Sequence, residues 1–170
     1  EFERCGLANQ LTDIVKRLLH PKDGKPRKGI LVFTQFIAEA EKLSREIDGV
    51  AVVTGSTPKK ERERILKAFK SGEIKVVSNV GVLTTGFDYP ELDTVVMARP
   101  TMSLAMWYQI VGRAIRPFPG KDGWIVDLGE NIKRFGKVED LELCVDKPGQ
   151  WYVRGVVGGY YKPLTNVYFQ

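Results

Sequence analysis

Cysteine and histidine are nearly missing from this 170-residue chain, which holds only Cys5, Cys144 and His20. No Cys-x-x-Cys pair occurs, and the two thiols stand near opposite ends. Neither a zinc site nor a disulfide framework is therefore expected, and the usage fits a reducing, cytoplasmic setting. No apolar run reaches the length of a membrane span, so no transmembrane helix is expected. Three phosphate- or nucleotide-handling signatures are also absent: G-x-G-x-x-G, G-x-x-x-x-G-K-[S/T] and an acidic D-E-x-[D/H] box. There is no internal repeat and no low-complexity segment. The sequence opens on Glu1 rather than Met, which reads as a domain boundary.

What is present is an ordinary globular composition. Hydrophobic residues make up 43% and charged residues 28% of the chain, enough to build a core. The length suits one domain with a small appendage. A net charge of +5 suits a nucleic-acid partner without demanding one.

Periodicity places the elements. Leu7, Leu11, Ile14, Val15, Leu18 and Leu19 repeat at helical spacing, and His20-Pro21 ends that helix before a basic loop, Lys22 to Lys28. Short Val- and Ile-rich runs at 29–34, 50–54, 74–78, 94–98 and 124–128 read as buried strands. Helices are expected over 38–47, from a Thr57 cap with Pro58 in first position, and from a Ser103 cap to Arg116, where Pro117 stops the last one. Alternating strands and helices predict a parallel, doubly wound α/β sheet. Residues 1–28 read as helix and linker, 29–136 as the core domain and 137–170 as an extension. In that extension Trp151, Tyr152, Val156, Val157, Tyr160, Tyr161 and Tyr168 read as a β-hairpin or meander. With Lys147, Arg154 and Lys162 it is either a base-stacking strip or a surface packed on the core domain.

The segment Gln109-Ile110-Val111-Gly112-Arg113-Ala114-Ile115-Arg116 carries the most chemistry. At helical spacing, Gln109, Arg113 and Arg116 share one stripe, opposite Leu104, Trp107, Val111, Ala114 and Ile115. Gly112 beside the stripe admits a close neighbour. Two guanidiniums aimed together suit a polyanion; a solvated helix face is the plain alternative.

Three blocks occur in order: Ile30 to Phe36 (ILVFTQF), Asn79 to Pro90 (NVGVLTTGFDYP) and Gln109 to Pro117 (QIVGRAIRP). Between the first two lies Thr54 to Arg62 (TGSTPKKER). This order resembles motifs IV, V and VI of the second, C-terminal RecA-like domain of superfamily 2 helicases, over about Gly29 to Leu128. The likeness is nearest to bacterial DNA-repair and restriction-type members. Gln109 stands where RNA-directed DEAD-box members usually have His, which favours DNA and leaves RNA open. The phosphate loop and acidic box absent here belong to the first RecA-like domain of that superfamily. The chain thus resembles the C-terminal half of an ATP-dependent DNA helicase or translocase, inactive alone, with ATP and Mg2+ held mainly by an N-terminal RecA-like partner.

The resemblance also implies roles. Arg116 would be an arginine finger on the γ-phosphate, Arg113 its phosphate-side partner, and Gln109 a sensor of the γ-phosphate or attacking water. Asp88, beside Gly86, would contact the ATP ribose; a turn-capping aspartate is the alternative. Thr84 and Thr85 would touch nucleic acid, although Thr85 replaces an arginine-type residue of the family. Thr34 and Gln35, at the end of a strand, would hold a phosphate or else cap a helix. Gly55, Lys59 and Arg62 surround a helix N-terminus suited to a phosphodiester, unless Glu61 and Glu63 merely offset the lysines. A non-catalytic nucleic-acid-binding module, an RNA helicase and a restriction-type translocase remain alternative readings.

Overall fold

The computed structural model describes residues 2–83, 88–148 and 150–165, with side chains from Asn9 onward. Thr84, Thr85 and Gly86 of the central block, and Tyr168 of the tail, lie outside the described residues. Five parallel strands form the main sheet: β1 (Ile30–Thr34), β2 (Val50–Val53), β3 (Val76–Asn79), β4 (Thr94–Ala98) and β5 (Trp124–Asp127), in the order β2-β3-β1-β4-β5. Four long helices flank it: α1 (Phe2–Leu19), α2 (Ile37–Glu46), α3 (Lys59–Lys70) and α4 (Leu104–Ala114).

Strand alternation divides the core into two layers, because successive side chains point to opposite faces. Ile30 and Val32 of β1, with Val76, Val96 and Ala98, meet Leu11, Val15, Leu18, Leu43 and Ile47 of the α1–α2 side. Leu31 and Phe33, with Val77, Val95 and Met97, meet Ile65, Phe69, Trp107, Ile110, Val111 and Ala114 of the α3–α4 side. A sheet covered on both faces needs runs of apolar residues rather than alternation with polar ones, and β1 and β4 are buried at every position. The expected doubly wound sheet is therefore present. Its strand order is what a comparison of the three motif blocks with solved folds must match.

Local details differ from expectation for physical reasons. Thr57 does not cap α3; its hydroxyl accepts from Thr54 N (2.9 Å) and closes a Thr54–Thr57 turn, leaving Pro58 as the cap. Ser103 does cap α4, accepting from Met106 N at 3.2 Å. That helix stops at Ala114, however, and Ile115 is 47% exposed rather than part of the buried stripe, which Ile110 joins instead. Pro117 disfavours helical geometry at Arg116, and the helix ends two residues before it. Strand β2 is an edge strand and only partly buried. Glu39 folds back so that its carboxylate accepts from Gln35 N and Phe36 N, both at 3.1 Å.

Beyond β5, a short helix α5 (Asn131–Phe135) and a 3₁₀ turn over Val138–Asp140 lead into an antiparallel sheet. Its strands are β6 (Glu142–Lys147), β7 (Gln150–Val157) and β8 (Tyr160–Pro163). Phe135, Val138 and Leu164 join the α3–α4 core layer, so this meander packs on the domain. On β6 to β8, Arg154 donates to Glu142 (2.6 and 2.8 Å) and lies 4.5 Å from the Tyr161 ring centroid.

Arg27 fastens the basic loop to the sheet. Its side chain, 12% exposed, donates to Thr94 Oγ1 (2.9 Å) and to the carbonyls of Asp93 (3.1 Å) and Asp122. It also pairs with the Asp93 carboxylate at 3.5 Å and stacks 4.9 Å from the Trp124 ring centroid. Arg27→Ala is expected to lower the unfolding free energy by about 2–3 kcal/mol, less than for a fully stranded buried charge. Asp93 would keep its bonds from Lys28 N and Thr94 Oγ1. Urea denaturation of both proteins measures the difference.

Candidate functional site

Parallel strands give the domain two unlike rims. At the carboxyl rim end β1, β2, β3 and β4, followed by the starts of α2, α3 and α4. At the amino rim, α4 finishes beside the start of β5: a Cβ on Gly123 would meet the Ala114 carbonyl oxygen at 2.5 Å. Because β3 and β4 are parallel neighbours of β1, β3 ends at the carboxyl rim and β4 begins at the amino rim.

The amino rim gathers Asp88, Arg113 and Arg116. Arg116 pairs with the Asp88 carboxylate, and both side chains stay open to solvent, at 53% and 69% exposure. Arg113, half-buried on the last turn of α4, lies close enough to feel both. Burial pushes its guanidinium down, the neighbouring Arg116 adds to that, and Asp88 opposes it. Lys121 adds a further cation, donating to the Pro90 carbonyl at 3.0 Å; burial lowers its pKa, Asp93 opposes that, and Arg116 reinforces it. Gln109 is exposed one turn before Arg113. Open space lies where Gly112 would carry a Cβ, so nothing described crowds this flank of α4. The result is an exposed cationic ledge with one carboxylate, chemistry suited to a polyphosphate bearing a hydroxylated sugar.

Of the other named residues that the structure describes, Thr34, Gln35, Gly55, Lys59 and Arg62 lie at the carboxyl rim, with one correction. Thr34 is wholly buried, and its hydroxyl is directed at the Asn79 carbonyl (3.5 Å). It joins β1 to β3 rather than presenting a donor, because β1 is the central strand. Arg62, half-buried, gives one guanidinium nitrogen to the Thr57 carbonyl (3.2 Å), bracing the turn before α3, while its buried Nε has no partner among the described residues. Gln35, Gly55 and Lys59 are exposed, and no Cβ clash closes Gly55. Asn79, which the sequence reading did not single out, organises the start of the central block: its Oδ1 accepts from Val82 N (3.0 Å) and Leu83 N (2.9 Å).

A metal ion finds no cage here, since no group of three or more His, Cys, Asp or Glu is suitably clustered among the described residues. No described helix is long and apolar enough to cross a membrane.

Comparison with known proteins follows the same outline. The model of the helicase conserved C-terminal domain matches residues 10–117. IRC3 of Saccharomyces cerevisiae, which carries an ATP-dependent helicase name, is 35% identical over 113 residues, covering 64% of this chain and 16% of that protein. The DNA 3'-5' helicase XPB of Kineococcus radiotolerans is 28% identical, over 69% of this chain and 20% of its own length. The ATP-dependent RNA helicase rok1 of Neurospora crassa is 32% identical, over 65% of this chain and 16% of its own. This chain therefore spans a fifth or less of these relatives. Among solved structures, the Pyrococcus furiosus Hef helicase domain superposes with a TM-score of 0.52 at 30% identity, over 73% of this chain and 26% of that one. The C-terminal domain of the DEAD-box protein Dbp5 gives 0.59 at 22% identity, over 72% and 69%, a likeness of fold. Motif order, sheet order and these matches agree: the chain belongs to the helicase conserved C-terminal domain family and is a C-terminal RecA-like domain of superfamily 2.

Proposed function

We propose that this domain is the second lobe of an ATP-driven DNA motor. A neighbouring N-terminal RecA-like lobe would hold the ATP phosphates and Mg2+, and closure would bring the amino-rim ledge onto them. The amino-rim cluster carries this reading, because Arg116 and Asp88 are open to solvent, with half-buried Arg113 beside them, where a second lobe can dock. Phosphoryl transfer needs chiefly positioning and charge stabilisation. Arg116 would neutralise the γ-phosphate as its charge spreads, Arg113 would hold a phosphate oxygen, Gln109 would orient the attacking water, and Asp88 would accept from the ribose. The Arg116–Asp88 pair keeps both groups in place without a neighbour. Ion pairs this exposed contribute about 0–1 kcal/mol, so a phosphate displaces Asp88 at little cost.

At the opposite rim, Gln35, Gly55 and Lys59 would touch the nucleic-acid backbone, the role the motif resemblance also implies for Thr84 and Thr85. Backbone contact carries little sequence information, which suits a motor that travels. DNA is the substrate proposed here from Gln109; the relatives named above include DNA and RNA helicases alike.

Taken alone, the domain is expected to bind single strands with a Kd on the order of 10⁻⁴ to 10⁻⁶ M, weakening steeply as salt rises. It should release no phosphate from ATP. Fluorescence anisotropy with labelled DNA and RNA strands of matched sequence measures this. Tight binding that ignores salt, or none at all, would overturn the motor reading.

A further inference from the structure

Arg99 brings to the carboxyl rim a guanidinium with neither a carboxylate nor a hydrogen-bond acceptor among the described residues. Arg99 follows the last residue of β4, and the strand registers place Phe33 beside Asn79 and Thr34 beside Ala98. Asn79, Thr34 and Arg99 thus finish three adjacent strands, each about 5 Å from the next. The Arg99 backbone is pinned. Its carbonyl accepts from Asn131 Nδ2 at 3.0 Å, and the same buried Asn131 accepts from Thr101 N (2.8 Å) and donates to Asp127 (2.8 Å). Any side chain on Gly129 would collide with the Arg99 carbonyl, so only glycine lets these two loops approach.

The Arg99 side chain is treated differently. It is half-buried, its Nε is shielded from water, and that nitrogen has no acceptor among the described residues. Arg27 and Arg154 each have a carboxylate; Arg99 has none among the described residues. Two strands away, at the end of β3, Asn79 Nδ2 is also buried without a partner among the described residues. A guanidinium cannot shed its charge, and sheltering it without a counter-charge costs free energy that a bound anion would return.

We propose that Arg99 takes a phosphate of the nucleic-acid backbone. This rests on the carboxyl rim being the nucleic-acid side of the motor read above. The nucleotide ledge of Arg113 and Arg116 lies at the other rim, so a nucleotide phosphate is not the anion Arg99 awaits. The pinned 99–103 loop supplies rigid backing, and the guanidinium fork matches phosphate oxygens. Met102, 79% exposed on this loop, sets an apolar side chain near that contact.

The test follows the salt dependence of single-strand DNA binding by the 170-residue chain and its variants. Arg99→Ala should make the slope of log affinity against log salt shallower by about 0.7, the loss of one phosphate contact on a single strand. Arg99→Lys should restore most of that slope. Arg45→Ala, which removes an exposed charge paired with Glu41 on α2, should leave it unchanged. If Arg99→Ala melts early, Arg99→Gln keeps the reach, loses the charge and gives the same reading. An unchanged slope in a folded Arg99 variant, or an equal loss in Arg45→Ala, overturns the assignment and leaves the motor reading standing. A wild-type chain that binds no strand overturns both.

Discussion

Arg116→Ala in the full-length protein is expected to cut nucleic-acid-stimulated ATP turnover about 10³-fold or more, equivalent to roughly 4 kcal/mol of lost transition-state stabilisation. The size follows from where charge develops. In the proposed closed state, which excludes water, a guanidinium on the γ-phosphate would act in a low-dielectric site, where it counts far more than at an open surface. Folding should be untouched, because Arg116 is half exposed and its ion partner is the more exposed Asp88. Arg116→Lys should recover little, since an ammonium offers a point charge rather than a planar fork. Steady-state phosphate release, measured beside a thermal melt, separates the two effects. Turnover near that of the wild type in a folded Arg116→Ala protein would refute the finger role.

The largest stability effect is expected at Trp107. This indole is wholly buried between α4 and the sheet, among the largest side chains in the core, and it anchors the helix that presents Arg113. Trp107→Ala removes many contacts and leaves a cavity that neighbouring strands can only partly close, costing about 3–5 kcal/mol. Trp107 Nε1 is buried without an acceptor among the described residues, so part of the native side chain is already unfavourably desolvated. Trp107→Phe discards that orphaned donor and a modest volume, and should cost about 1.5 kcal/mol or less. Chemical denaturation of the three proteins tests both figures. Equal losses for Phe and Ala would mean that the indole nitrogen is satisfied in solution.

The sequence made the frame legible because its signals there are local and periodic. Val- and Ile-rich runs marked each strand of the main sheet, and the Ser103 cap and the stripe on α4 marked the helix with the paired arginines. What escaped depends on distant contacts. Arg27 looks like one more charge in a basic loop, yet its partners Thr94 and Asp122 lie 67 and 95 positions away. Thr34 reads as a strand-end hydroxyl, and only the sheet order shows that β1 is central and buries it. Thr57 resembles a helix cap because a Thr-Pro pair usually is one, but here the hydroxyl closes the preceding turn. Arg99 gave no periodic signal at all. Its significance comes from the carboxylate it lacks, which no residue pattern displays.

The strands separating the two rims are only four or five residues long, so the surfaces lie roughly 15 Å apart and face different ways. A small inhibitor lodged against Arg116 would leave the opposite edge uncovered, and a compound seated beside Gln35 and Lys59 would leave the ledge free. If the proposed motor reading holds, antagonists should therefore sort into two families able to occupy one molecule together. In kinetic terms, one family competes with fuel and the other with the track.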